Sequence, residues 1–304
     1  MRQDNSSDLA NQYYDLATDF FEYGWGESFH FATMHKGESF EHAIAKHEYR
    51  IALKLRIEPG EKVLDMGCGV GGPARNIATF TEAEITGLNI NDYQIQRARE
   101  LTKAAGVDHL CEFVKGDFCK APLESETFDK AYAIEASCHA ADLSKVYREA
   151  YRMLKPGGLF ASYEWVMTDK YDPTNPYHKQ LKEEIMLGDG LPDINSIETV
   201  LHAVKSNGFE LLETADMVEH SPVPWYSVMQ PRWTLADFKI TPLGRWLTHV
   251  ALMGLELVGF APSGSVKVHR TLCKGADSLV NGGKEGVFSP MFLVVARKPG
   301  KPTQ

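Results

Sequence analysis

The chain has 304 residues, of which 43% are hydrophobic and 24% charged, enough to bury one large core or two modest ones and unlike collagen, coiled-coil or disordered compositions. Thirty-two Lys plus Arg against 41 Asp plus Glu leave a net charge of −9, which offers no basic field to a nucleic acid. Five cysteines without a CxxC pair suggest neither a disulfide framework nor a zinc knuckle and fit a reducing compartment.

The first residues, MRQDNSSDLANQYYD, are polar and lack the apolar stretch of a signal peptide, so export is not expected. No run reaches the roughly 18 to 20 apolar residues of a membrane span. Aromatic-rich helical segments follow, and Ile44, His47, Ile51, Ala52 and Leu55 recur at the spacing of an amphipathic helix that Glu58-Pro59-Gly60-Glu61 should end.

From Lys62 to about Met167, short apolar runs alternate with helical patterns, the signature of βαβ units in a mainly parallel α/β sheet. Strands are predicted at Val63–Met66, Glu84–Ile90, Cys111–Lys115, Phe128–Ile134 and Gly158–Trp165, with helices at Asp92–Ala105 and Leu143–Leu154 among the connections. The turn Lys155-Pro156-Gly157-Gly158 stops the second helix.

Beyond Trp165 the pattern loosens, with a strand near Phe209–Val218 and a Pro-rich loop, Ser221–Tyr226, that separates a final helical portion. Leu243–Phe260 is apolar but broken by Arg245, His249 and Glu256; packing on the core is the first expectation, and a surface resting on lipid the second. A last strand at Val287–Ala296 should return to the sheet at its edge, since Pro290 is tolerated only at an edge or a bulge. The expected division is 1–58, an aromatic-rich helical segment; 59–167, a ligand-binding core; and 168–304, a substrate-binding region whose last strand rejoins the sheet.

The strongest local signal is Val63-Leu64-Asp65-Met66-Gly67-Cys68-Gly69-Val70-Gly71-Gly72, a strand entering a glycine-rich turn and a helix. G-x-G-x-x-G alone also suits a dinucleotide. Asp65, two residues before the first glycine, would repel a pyrophosphate but attract a sulfonium ligand carrying an ammonium group, which points to S-adenosyl-L-methionine. About twenty residues on, Asn89 stands where ribose hydroxyls lie in a doubly wound fold, with Asn91 and Gln94 beside it. Asp117 is placed to accept from an adenine amino group and Phe118 to lie against the ring, although Asp117 also reads as a loop cap. Cys68 and Glu135 complete the candidate cofactor site, and Glu135 reads equally as a structural hydrogen-bonding group. The eleven histidines show no i, i+4 pair, so no metal site is expected. There is no nucleophile elbow.

These motifs, with Phe20-Phe21-Glu22-Tyr23-Gly24-Trp25-Gly26-Glu27-Ser28-Phe29-His30-Phe31, GLNINDYQI, YAIEASCHA, YEWVMTDKYDP and the stretch APSGSVKVHRTLCKGADSLVNGGKEGVFSPMFLVVARKP, closely resemble the sterol 24-C-methyltransferases over nearly the whole chain. The resemblance implies a class I methyltransferase Rossmann-like fold: a mainly parallel seven-stranded sheet with an antiparallel C-terminal strand, N-terminal helices and a C-terminal helical lid. It implies methylation of a sterol side-chain alkene, with a squalene-like triterpene as the alternative acceptor. One departure is Phe21, where the family commonly has Tyr.

An alkene has no proton to remove before attack, so the first task is positioning, and attack leaves a carbocation that aromatic faces stabilise without trapping it. Phe21, Tyr23, Trp25, Phe29 and Phe31 are the candidate faces, with plain core packing as the competing account. The resemblance implies a hydride shift, after which a weak base must take a proton, and Glu135, His30 or Glu22 could serve, Glu135 first because it ends a strand at the crevice. Glu48 or Asp189 could instead hold the sterol hydroxyl. Such a substrate implies peripheral contact with the cytoplasmic face of the endoplasmic reticulum or lipid droplets. Closed symmetric homo-oligomers are the common default for assembly.

Overall fold

The computed structural model describes residues 18, 22, 24–230, 238 and 240–301. Phe21 and Tyr23 lie outside these.

Ser39 accepts from the His42 amide and starts α1 (Phe40–Leu55), which buries Ala43, Ile44, His47, Ile51, Ala52 and Leu55, the predicted stripe. It ends earlier than expected. Arg56 adopts a left-handed φ of 51° and its N–H turns back to the carbonyls of Ala52 and Leu53, so the stop precedes the Pro-Gly turn.

The core then alternates β1 (Lys62–Met66), α2 (Gly72–Thr81), β2 (Glu84–Asn89), α3 (Asp92–Ala104), β3 (Cys111–Lys115), β4 (Phe128–Ile134), α4 (Leu143–Met153) and β5 (Leu154–Met167). After α5 (Pro176–Gly188) come the two-residue β6 (Asn195–Ser196), α6 (Ile197–Ser206), β7 (Glu210–Asp216), α7 (Pro242–Leu257), α8 (Ser265–Glu285) and β8 (Phe288–Arg297). The sheet order is β3-β2-β1-β4-β5-β8-β7, with β6 added beside β5. Strands β1 to β5 are parallel, and β8 runs antiparallel to both β5 and β7.

Alternation along β5 divides two cores. Ala161, Tyr163 and Met167 join residues of α1, α2, α3, α5 and α8 on one face. Phe160 and Val166 join α4 and α6 on the other.

Two expectations are corrected and one is extended. The last strand is not at an edge but lies between β5 and β7; Pro290 is accommodated because the β5–β8 register shifts between Glu164 and Val166, a bulge that leaves no ladder bond for proline to break. The Ser221–Tyr226 loop does more than separate: Val223 bridges to Met34, Ser221 Oγ accepts from the Met34 amide at 3.1 Å, and Trp225 is buried edge-on to Phe31 at 4.7 Å. It therefore clamps the N-terminal aromatic motif. Finally, α7 does not pack on the core, since Leu243, Trp246, Leu247, Val250 and Met253 are all exposed and Gly244 is its buried residue. Among the described residues, no helix is long and apolar enough to cross a membrane.

Helices α5 and α8 cross at two glycines. A Cβ on Gly188 would lie 2.5 Å from the Gly275 Cα, which is backbone that cannot swing aside. Gly188→Ala is expected to destabilise the fold by about 2 kcal/mol through overpacking. A urea midpoint equal to that of the parent protein would contradict the tight crossing.

Candidate active site

The C-terminal ends of β1, β2 and β4 meet where the strand order reverses, the position at which doubly wound sheets open a crevice. After β1 the chain turns through Gly67 at φ 88° and Gly69 at φ 52°. The Gly67 amide donates to the Leu88 carbonyl at 2.8 Å, which ties the turn to β2. Gly67 also lies so close to Ala136 that no Cβ fits.

The cavity above this turn is walled by Gly67, Cys68, Gly69, Asn89, Gln94, Asp117, Phe118 and Glu135, together with Phe29, His30 and His139. Asn89 Nδ2 donates to Gln94 Oε1 at 2.7 Å, so the two amides are held as a pair. Asp117 Oδ1 accepts from the Cys119 amide at 2.7 Å; it is both the loop cap and part of the wall. His139 carried no sequence signal beyond lying next to the β4 terminus.

Two predicted cofactor residues are not in that wall. Asn91 Oδ1 accepts from the Gln94 amide at 2.9 Å and caps α3, as Asn before a helix commonly does. Asp65 lies behind the wall, buried, with no hydrogen-bond partner at Oδ2, and burial pushes its carboxyl up to about 7. A buried carboxylate beside the Tyr132 hydroxyl, behind a glycine cradle with paired amides and Asp117 around it, suits a ligand with a cationic group, a sugar diol and a base, and thus fits S-adenosyl-L-methionine.

A second cavity adjoins the first. Its wall contains Trp25, Phe29, Phe31 and Trp165, along with Asp189 and apolar side chains such as Met229, Leu272 and Leu279. Phe29, His30 and Glu135 line both cavities, so the two spaces meet at these residues. Trp25 and Phe31 pack edge to face at 4.9 Å.

Glu135 leaves β4 with a left-handed φ of 52°, a strained conformation for a glutamate. Its Oε1 accepts from the Phe31 amide and its Oε2 from Trp165 Nε1, both at 2.8 Å. Burial pushes its carboxyl up to about 7, against the opposing pull of the His30 charge and the two N–H donors. Trp165 was missed as a site residue. Its signal was the alternation that places it on the Tyr163 face of β5.

His30 faces acceptors through both ring nitrogens: Nδ1 lies 2.7 Å from the Phe31 carbonyl and Nε2 3.1 Å from Glu48 Oε1. Two acceptors call for two N–H groups, the imidazolium form. Burial works against that charge, yet the Glu48 hydrogen bond and the charges of Glu48 and Glu135 prevail and hold the pKa above the ordinary histidine value. His30 thus has no lone pair with which to act as the predicted base. Glu48 also accepts from Ser28 Oγ at 2.7 Å and Asn76 Nδ2 at 2.5 Å, outside the second cavity's wall, so it does not suit a sterol hydroxyl. Glu22 is likewise turned to another task, because Arg97 holds it through Nε at 3.2 Å and a terminal nitrogen at 2.9 Å.

His30, His47 and Glu135 bring potential metal-ligand atoms within 4.8 Å of one another. Hydrogen bonds already commit those of His30 and Glu135, while His47 stacks on Tyr163 at 3.8 Å. Both ring nitrogens of His47 are buried without a hydrogen-bond partner among the described residues.

Comparison with known proteins agrees with this geometry. Residues 235–300 match the family described as sterol methyltransferase C-terminal, and residues 64–162 match the methyltransferase domain. The chain is 53% identical over 299 residues to cycloartenol-C-24-methyltransferase 1 of Oryza sativa subsp. japonica, covering 98% of this chain and 87% of that one. It is 48% identical over 307 residues to sterol 24-C-methyltransferase ERG6 of Saccharomyces cerevisiae, covering 98% and 80%. The cyclopropane synthase MmaA2 from Mycobacterium tuberculosis shares the fold, with a TM-score of 0.74 at 17% identity over 96% of this chain and 98% of that one. The chain therefore belongs to the sterol 24-C-methyltransferase family of S-adenosyl-L-methionine-dependent methyltransferases.

Proposed function

We propose that the protein transfers a methyl group to C24 of a sterol side-chain alkene. The observation that carries this reading is the meeting of a glycine-cradled polar cavity and an aromatic-walled one at Phe29, His30 and Glu135. S-adenosyl-L-methionine, when bound, supplies an electrophilic sulfonium methyl. Asn89, Gln94, Asp117 and Phe118 would hold it, with Asp65 as a buried counter-charge behind.

The chain's own contribution is positioning and electrostatics. Trp25, Phe29, Phe31 and Trp165 shape an apolar space for the alkene and offer ring faces to the cationic side chain without supplying a trapping nucleophile. Glu135, fixed by two N–H donors, sets a negative charge beside that space before any positive charge develops. Relatives at 53% and 48% identity carry sterol names, so the squalene alternative is not favoured.

With methyl-labelled S-adenosyl-L-methionine, label should enter cycloartenol or zymosterol and not squalene. Label in squalene with none in any sterol would overturn the reading.

The same proposal accounts for α7. Ile240 and Arg245 line the second cavity, and the neighbouring Leu243, Trp246, Leu247 and Val250 are exposed, so a sterol leaving a bilayer or droplet would meet an apolar landing surface. The double substitution Trp246→Glu and Leu247→Glu should weaken sedimentation with sterol-containing vesicles by about tenfold. Unchanged sedimentation would remove α7 from the membrane contact.

A further inference from the structure

We propose that Asp189 is the base that ends the reaction by taking a proton from the newly added carbon. This rests on the sterol-methylation reading above. The argument begins from lone pairs. A base that deprotonates a carbocation must present an oxygen or nitrogen lone pair to the cavity, and the acids and histidine nearest the junction are already engaged by hydrogen bonds. Glu135 keeps a second lone pair on each oxygen, but both oxygens accept N–H donors that fix its geometry and lower its basicity; His30 faces acceptors at both nitrogens, Glu48 is tied to three partners, and Glu22 is paired with Arg97.

Asp189 differs from all four. It lies in the wall of the second cavity, and its carboxylate has no hydrogen-bond partner among the described residues. An unpaired buried carboxylate oxygen is costly, so its persistence calls for a ligand-dependent role.

Its place in the fold is fixed by backbone. Asp189 caps α5 with its amide on the Ile185 carbonyl at 3.0 Å, one residue after the Gly188–Gly275 crossing. It lines the same cavity as Phe29, His30 and Glu135. Burial first, and then the negative charge of Glu135, raise its carboxyl to about 7, and Asp189 in turn contributes to the raised thiol pKa of Cys138, just after β4. A base near neutrality is also matched to its task, because it is substantially ionised at working pH yet readily accepts a proton.

The step balances as follows. After the hydride shift the positive charge sits on the ring-distal side-chain carbon bearing the added methyl. A C–H bond of that methyl breaks, its electron pair forms the new carbon–carbon double bond, and the proton goes to the Asp189 carboxylate, turning it into a carboxylic acid. Cation and anion are neutralised together, and no oxidant or reductant is needed. Glu135 remains the fixed counter-charge while Asp189 moves the proton.

Asp189→Asn tests the assignment, with calorimetric binding of S-adenosyl-L-methionine as the folding control and products identified by gas chromatography and mass spectrometry using the trideuteromethyl donor. Turnover should fall by about 100-fold. The remaining product should shift away from the exocyclic methylene sterol retaining two deuterons toward alkenes formed by proton loss elsewhere, or toward alcohols from water capture. A product ratio equal to wild type would overturn the proposal, whether turnover is preserved or the loss is confined to a raised sterol KM as a hydroxyl anchor would give. If the Asn variant does not bind the donor, Asp189→Glu, which keeps the carboxyl and moves its oxygens by one methylene, is judged by the same ratio. Wild-type enzyme that labels no sterol at all would sink the sterol reading itself, a result distinct from labelled sterol with an unchanged ratio.

Discussion

Glu135→Gln is expected to lower methyl-transfer turnover by about 10² to 10³-fold, the cost of removing a preorganised charge from beside a developing one. The reason is specific to its partners. Both oxygens of Glu135 accept N–H bonds, from Phe31 and from Trp165, and an amide has one oxygen and one NH₂. One of the two donors would then face another donor, and the His30 imidazolium would lose a nearby anion. Affinity for S-adenosyl-L-methionine, measured by calorimetry, should change far less than turnover.

The pH dependence follows with a definite sign. Burial raises the Glu135 carboxyl to about 7, and its surroundings include the His30 charge, the Phe31 and Trp165 N–H groups and the Asp189 carboxyl across the same cavity. Glu135 as the counter-charge and Asp189 as the base must both be ionised, so kcat/KM should fall by about ten- to a hundredfold per pH unit below neutrality and level off above it. Turnover equal to wild type in the Gln variant, or a flat profile from pH 5 to 8, would contradict the counter-charge role.

Gly67→Ala is expected to weaken S-adenosyl-L-methionine binding by about 100-fold or more, because it combines a conformational penalty with a steric one. Gly67 sits at φ 88°, and a Cβ there would collide with the Ala136 side chain, which belongs to the same cavity wall as Glu135. Relief requires moving either the glycine turn off β2 or the β4 terminus that presents Glu135. Binding by calorimetry and turnover should therefore fall together, unlike the Glu135→Gln pattern. A variant that binds the donor as well as wild type would show that the turn does not cradle it.

Period-two and helical spacing made the parallel half of the fold legible. Cys111–Lys115 and Phe128–Ile134 are strands with the predicted bounds, and α1 buries the predicted stripe. Spacing could not say where β8 inserts, because Pro290 is compatible with either an edge or a bulge, and that choice depends on the β5 register. Nor could it separate an apolar helix that packs from one that stays exposed; for α7 the neighbours decide, and they are absent from local sequence.

The site was legible by position but not by role. Gly67, Gly69, Asn89, Gln94, Asp117, Phe118 and Glu135 come together in one cavity as expected, and Trp25, Phe29 and Phe31 in the next. What spacing could not supply was which lone pairs remain free. His30 and Glu48 read as available groups until Phe31, Ser28 and Asn76 are seen to claim them, and Asp65 reads as a cavity wall until its carboxyl is found behind it. Asp189 lies 54 residues from Glu135 in sequence, and the helix crossing at Gly188 and Gly275 seats it in the second cavity's wall.

The most direct test of the central claim is the position of the transferred carbon. Enzyme supplied with ¹³C-methyl S-adenosyl-L-methionine and cycloartenol should yield a sterol whose label appears by carbon NMR as an alkenyl methylene attached to C24. Label on the 3-hydroxyl oxygen or on the ring nucleus would contradict the account, because the junction at Phe29, His30 and Glu135 would then be presenting a different part of the substrate.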